Sequence, residues 1–309
     1  MKEPRPSLER VVASSEKRKD EIRAATLAEF LAQDAPELVK GEREKTETER
    51  AIIALVNEET NALRVKYGLE PLDIPEKIFH VIKKKEWKDK SRGAYEPKLQ
   101  GIILREGASR LDTAASAFHE AVHFKSYLTL EGVDGRIEER GFGLSVGVGP
   151  NRNPRFSEFN EATTEELTIR FVERRKHDPL FADETDRHER HRQALGDKTS
   201  DEGKPLLPVD AYHSRVTFKK HGVFIDVERP AYANERRALH AFIDKLYDRN
   251  RNDFKDREEV FDLFAKGMFT GKLLVLSRLI EKTFGTGTLR RISEQEGDVA
   301  GLEELIAKL

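Results

Sequence analysis

Two histidines four residues apart, with a glutamate directly after the first, form the strongest chemical constellation in this 309-residue chain: His119-Glu120-Ala121-Val122-His123. On a helix, positions i and i+4 project the same way, so both imidazoles can share one metal ion. Glu120 follows His119 by about 100° of helical turn. Its carboxylate then lies beside the ion, where it can take a proton from an activated water. A hydrolytic zinc site needs a third protein ligand and an open position. The chain has no cysteine, which leaves His or a carboxylate for that role. One known solution puts a glycine and then a third histidine shortly after the second. Ser126 and Thr129 occupy those two positions here, so that pattern is absent.

A better source of the third ligand lies downstream, in Phe159-Asn160-Glu161-Ala162-Thr163-Thr164-Glu165. Glu161 and Glu165 again stand at i and i+4. One of these carboxylates can ligate while the other accepts a hydrogen bond from a ligand imidazole and fixes its tautomer. Asn160 is placed to serve the other imidazole in the same way. Taken together, His119-Glu120-x-x-His123 and Asn160-Glu161-x-x-x-Glu165 resemble the gluzincin, or thermolysin-like, zinc peptidases, over residues 95–172. That resemblance implies Zn2+ as cofactor, His119, His123 and Glu161 as its ligands, Glu120 as general base and Glu165 as the partner of His119. Two features depart from the class. Glu165 stands where its pattern has Asp, and the spacing from His123 to Glu161 is longer, with a Gly-rich stretch at 131–155 as the insertion. Gluzincins also supply a Tyr or His to the developing oxyanion. Tyr212, His213 and Tyr232 are the candidates, and Arg236, on the helix that Tyr232 opens, is placed to orient a carboxylate.

The elements that must hold these residues follow from periodicity. Residues 7–67 have helical spacing, divided at Gly41 and closed by Gly68. Short strands are expected at 78–82 and 101–104, with Gly93-Ala94-Tyr95 as an edge strand above the metal helix. Asp112 or Thr113 is expected to cap that helix, with Ala114, Ala117, Phe118, Ala121 and Leu128 along its buried face. Residues 131–155 read as a hairpin or a loop with short strands, 157–176 as a second helix, and 177–210 as a polar insertion. Alternation at 216–227 marks strand, and the remainder is helical in pieces broken near Asn252, Gly271, Gly285 and Gly297. His188 and His191 sit at i, i+3 among charged neighbours and read as solvated.

The expected architecture is therefore α+β: a zincin-like domain at 69–230, with a small twisted sheet over the metal helix, an N-terminal helical accessory region at 1–68 and a C-terminal helical part at 231–309. Hydrophobic residues make up 37% and charged residues 36%, with a net charge of −2. Such a balance argues against a dedicated nucleic-acid binder. No signal peptide or membrane-length apolar run is present, so a cytoplasmic protein acting on a peptide or protein substrate is expected. Two alternatives stay open on sequence: a zinc hydrolase of a non-peptide amide, and a non-enzymatic helical interaction protein with an inactive motif.

Overall fold

A computed structural model of the chain describes residues 40–88, 91–97, 101–107, 109–133, 136–147, 154–182, 184 and 231–309, with short pieces at 11–12, 21, 215–219 and 222–228. The fold is α+β, and eight α-helices and three small sheets lie among the described residues. Strand β1 (Val11–Val12) belongs to a sheet completed further along the chain. Strand β2 (Glu42–Arg43) precedes helix α1 (Glu47–Lys66), which starts on a capping box. Thr46 Oγ1 accepts the Glu49 N–H at 3.2 Å, and the Glu49 carboxylate accepts the Thr46 N–H at 2.8 Å. Gly68, with φ of +77°, follows the end of the helix.

Strands β3 (Phe79–Ile82), β4 (Gly93–Glu96) and β5 (Gly101–Arg105) join β2 in a sheet of order β2-β3-β5-β4. β3 and β5 are parallel, with Phe79 opposite Ile102. β4 is antiparallel to β5 at the free edge, with Gly93 opposite Leu104. One face of this sheet lies on helix α2 (Arg110–Lys125), which carries the two histidines.

The start of α2 is tied down from a distance. Ser109 caps it, accepting the Asp112 N–H at 3.2 Å. The Glu184 carboxylate takes the Ser109 hydroxyl at 2.8 Å and the Arg110 and Leu111 N–H groups at 2.9 Å each. The cap expected at Asp112 or Thr113 is therefore corrected to Ser109, whose extended backbone precedes both. Leu128 is corrected as well. The helix stops at Ser126, and Leu128 opens strand β6 (Leu128–Val133) instead of extending the helical face.

β6 pairs antiparallel with β7 (Arg136–Phe142), and β8 (Ser145–Val146) closes the order β1-β6-β7-β8. Helix α3 (Ser157–Arg175) follows and packs along α2. The rings of Phe118 on α2 and Phe171 on α3, both fully buried, stack at 4.3 Å and 4°. Burial of each ring stabilises by about 1.5–3 kcal/mol, and their stacking by about 0.5–1.5 kcal/mol more. This contact sets the distance between the two helices that carry the candidate ligands. Strands β9 (Arg215–Lys219) and β10 (Gly222–Glu228) form a separate hairpin.

The C-terminal part is helical: α4 (Ala233–Arg249), α5 (Arg257–Thr270), α6 (Leu273–Phe284), α7 (Thr288–Ser293) and α8 (Val299–Lys308). One hydrophobic core runs through all of these layers, from Ile52 on α1 through Phe118 and Phe242 to Ile306 on α8. No described helix is long and apolar enough to cross a membrane.

Candidate metal centre

Helix α2 delivers His119, Glu120 and His123 into the gap between the edge strand and α3, and all three are buried. Helix α3 delivers Glu161 and Glu165 from the other side. The three candidate donor atoms converge. His119 Nε2 and His123 Nε2 are 3.1 Å apart, and Glu161 Oε2 lies 3.4 Å from the first and 3.3 Å from the second. Tetrahedral ligands at zinc distances sit about 3.3 Å from one another, so the triangle has the size that such an ion requires. These residues form the one group of three or more His, Cys, Asp or Glu side chains among the described residues that could hold a metal ion.

The chemistry of the set agrees with its size. His119 Nδ1 is 2.9 Å from Glu165 Oε2. A proton on Nδ1 donated to that carboxylate leaves Nε2 as a lone pair aimed at the centre. The longer side chain of Glu165, in place of the Asp of the gluzincin pattern, reaches His119 without difficulty. Three carboxylates crowd the site, yet among the described residues no Arg or Lys bridges to Glu120, Glu161 or Glu165. A cation is what this concentration of negative charge lacks. Burial opposes charge on His119, but Glu161 and Glu165 outweigh it and raise its basicity well above the ordinary imidazole value. Burial opposes charge on Glu161 as well, but His123 and His119 outweigh it and hold its carboxyl well below the usual carboxylate range.

Glu120 behaves differently from its neighbours. Burial raises its pKa, Glu161 adds to the effect, and the two histidines and the Tyr95 N–H oppose it. A carboxylate pushed upward in a buried cleft is suited to carrying a proton back and forth.

The third element is the N-terminus of α4. Tyr232 adopts a left-handed backbone (φ +58°) just before the helix, and its ring stacks on His119 at 5.9 Å and 10°. Its phenol donates to Glu161, and burial together with Glu161, Glu120 and Glu165 raises its pKa and keeps it protonated. Of the three candidate oxyanion donors, Tyr232 is therefore at the centre. Tyr212 and His213 lie outside the described residues, as do His188, His191 and most of the polar insertion.

Asn160 requires a correction. Its Oδ1 accepts the Leu144 N–H at 2.9 Å, not a proton of the second imidazole. The turn at Gly143 (φ +57°) brings that amide to Asn160, and a Cβ at Gly143 would collide with Asn160 Oδ1. His123 Nδ1 is buried with no hydrogen-bond partner among the described residues. Its ring is oriented by packing instead, with Phe142 at 5.3 Å and Tyr95 behind Phe142 at 5.8 Å. No sequence signal marks Phe142 for this place.

Arg236, fully buried, does orient a carboxylate, that of Glu166, through bonds of 3.2 and 2.9 Å to Oε2. Comparisons of the chain with known protein families, with curated proteins and with solved structures find no match.

Proposed function

We propose that this protein is a zinc-dependent peptidase with a zincin-like catalytic domain, holding its ion on His119, His123 and Glu161. The observation that carries the reading is the donor triangle of 3.1, 3.3 and 3.4 Å, lined by carboxylates that no Arg or Lys among the described residues reaches. An antiparallel edge strand packed against the histidine helix, with β5 between the two in the chain, supports the zincin-like assignment. Bound there, zinc supplies Lewis acidity, acidifying a water and polarising the scissile carbonyl.

The chain's own residues do the rest. An extended peptide adds to β4, whose outer edge faces the cleft. Glu120 accepts the proton of the attacking water and hands it to the leaving amine, which its raised pKa favours. Tyr232, kept protonated, donates to the oxyanion that develops on the carbonyl oxygen. Glu165 holds the ring of His119 in the productive tautomer. Phe142 and Tyr232 wall the centre from two sides and restrict water.

Metal analysis of purified protein tests the proposal directly. The expected result is about one zinc per chain, with hydrolysis of an unfolded-protein substrate that a chelator abolishes and added zinc restores. Protein that retains no zinc after equilibration with it, and cleaves nothing, would rule the reading out and favour an interaction protein with an inert motif.

A further inference from the structure

Among the described residues strand β4 is bonded to β5 on one side only, and the register tells which of its groups face outward. The Arg105 N–H donates to the Arg92 carbonyl at 2.9 Å, and Gly93 stands opposite Leu104. In an antiparallel pair, bonded and non-bonded positions alternate. Ala94 and Glu96 therefore turn their main-chain groups toward β5, whereas Gly93 and Tyr95 turn theirs to the free edge. The outward Tyr95 N–H is not idle, because it donates to the Glu120 carboxylate.

Gly93 lies beneath that carboxylate. A Cβ built on it would sit 3.1 Å from both Cγ and Oε1 of Glu120, and 3.2 Å from Leu104 Cδ2. The backbone offers no other reason for glycine, since Gly93 is not among the residues with positive φ. Glycine inside a strand also weakens it and often marks a close approach by another group. Here the approaching group is the side chain at the heart of the proposed chemistry.

We propose that Gly93 is a positioning residue for the general base: its missing side chain lets Glu120 lie on the edge strand, where the Tyr95 N–H holds it. The inference rests on the reading of Glu120 as general base. The strand that borders the substrate and the group that moves the proton are then one mechanical unit.

Two measurements on the full-length protein test this, one of them independent of activity. In an amide NMR spectrum, the Tyr95 N–H is expected at low field in the parent protein. It should move upfield in Glu120→Ala and, by a similar amount, in Gly93→Ala. In kinetics, Gly93→Ala is expected to lower kcat by about 100-fold, the scale of a misplaced catalytic group, with KM and zinc content unchanged. A Leu104→Ala change in the Gly93→Ala background relieves the other close contact and is expected to restore nothing.

The proposal is overturned if Gly93→Ala leaves both the Tyr95 amide and kcat at parent values, or if Leu104→Ala rescues it, which would make the glycine a matter of sheet packing. If the parent protein hydrolyses nothing, the peptidase reading fails by itself. The amide shifts then still decide whether Gly93 positions Glu120.

Discussion

Glu165 and Glu166 are adjacent on α3, and both are nearly buried, yet they belong to opposite kinds of site. Glu166 is saturated: Arg236 and His240 reach its Oε2 at 2.9 Å, and Arg170 reaches Oε1 at 2.9 Å before continuing to Glu258. Every charge in that cluster meets an opposite one, and the cluster joins α3 to α4 and α5. Around Glu165 the side chains converge without closing. The two imidazole nitrogens and the Glu161 oxygen meet at a common point, and among the described residues no Arg or Lys answers the carboxylates. A buried polar cluster that completes itself is a strut, and one whose members share an unanswered demand is a receptor. The comparison also places the strut. Arg236 sits one helical turn after Tyr232, so the pair with Glu166 anchors the helix whose first turn covers His119.

The distinction can be broken at either cluster. The largest expected effect is at the receptor. Glu120→Gln should lower hydrolysis by about 100- to 10,000-fold, the contribution of a general base, while zinc content stays at the parent level. Turnover at the parent rate in that variant would end the proposed mechanism. Next comes the strut, where Arg236→Ala removes the fully buried one of the three basic partners of Glu166 and should destabilise the fold by about 1.5–3 kcal/mol in urea titration. An unchanged unfolding midpoint would show that Glu166 finds other partners. Smaller still is Glu165→Ala, which should weaken zinc binding by about 10- to 100-fold in competition with a chelator and leave the unfolding midpoint of the metal-free protein nearly unchanged. An equal loss of stability in the Glu165 and Arg236 variants would erase the contrast between the clusters.

Acid provides the gentlest test. Burial alone would raise the Glu166 pKa, but His240, Arg236 and Arg170 outweigh it and hold the carboxyl well below the ordinary range. A depressed folded-state value stabilises above the unfolded value of about 4.3, and that contribution is lost as pH falls below it. Unfolding midpoints measured from pH 7 to pH 3 should therefore fall more steeply for the parent than for Glu166→Gln. Parallel curves would contradict the assignment.

What was legible in the sequence is what helical periodicity controls. His119 with His123, and Glu161 with Glu165, are i, i+4 pairs, so their common direction is a local property and the sequence displays it. That the two helices face each other is not local. It depends on Phe118 meeting Phe171, and only the type and spacing of the donors hinted at it. Tyr232 was one of three candidates because its position depends on a turn, and the turn's left-handed residue leaves no reliable trace. Asn160 was assigned to the wrong partner because the Leu144 amide reaches it only through the bend at Gly143. The Glu184 cap on α2 comes from far along the chain, and main-chain donors such as the Tyr95 N–H carry no letter at all. Arg236 was correctly expected to orient a carboxylate, although the sequence could not say which one.

The left-handed backbone of Tyr232 has a consequence for the protein's history and for its engineering. Glycine would take that conformation without the strain, of order 1 kcal/mol, that a side chain incurs there. A search rewarding thermal robustness alone would favour glycine at this position and discard the phenol together with its bond to Glu161. Tyrosine at 232 is thus a place where durability and proposed activity pull in opposite directions, and its retention among relatives would record which of the two selection has guarded.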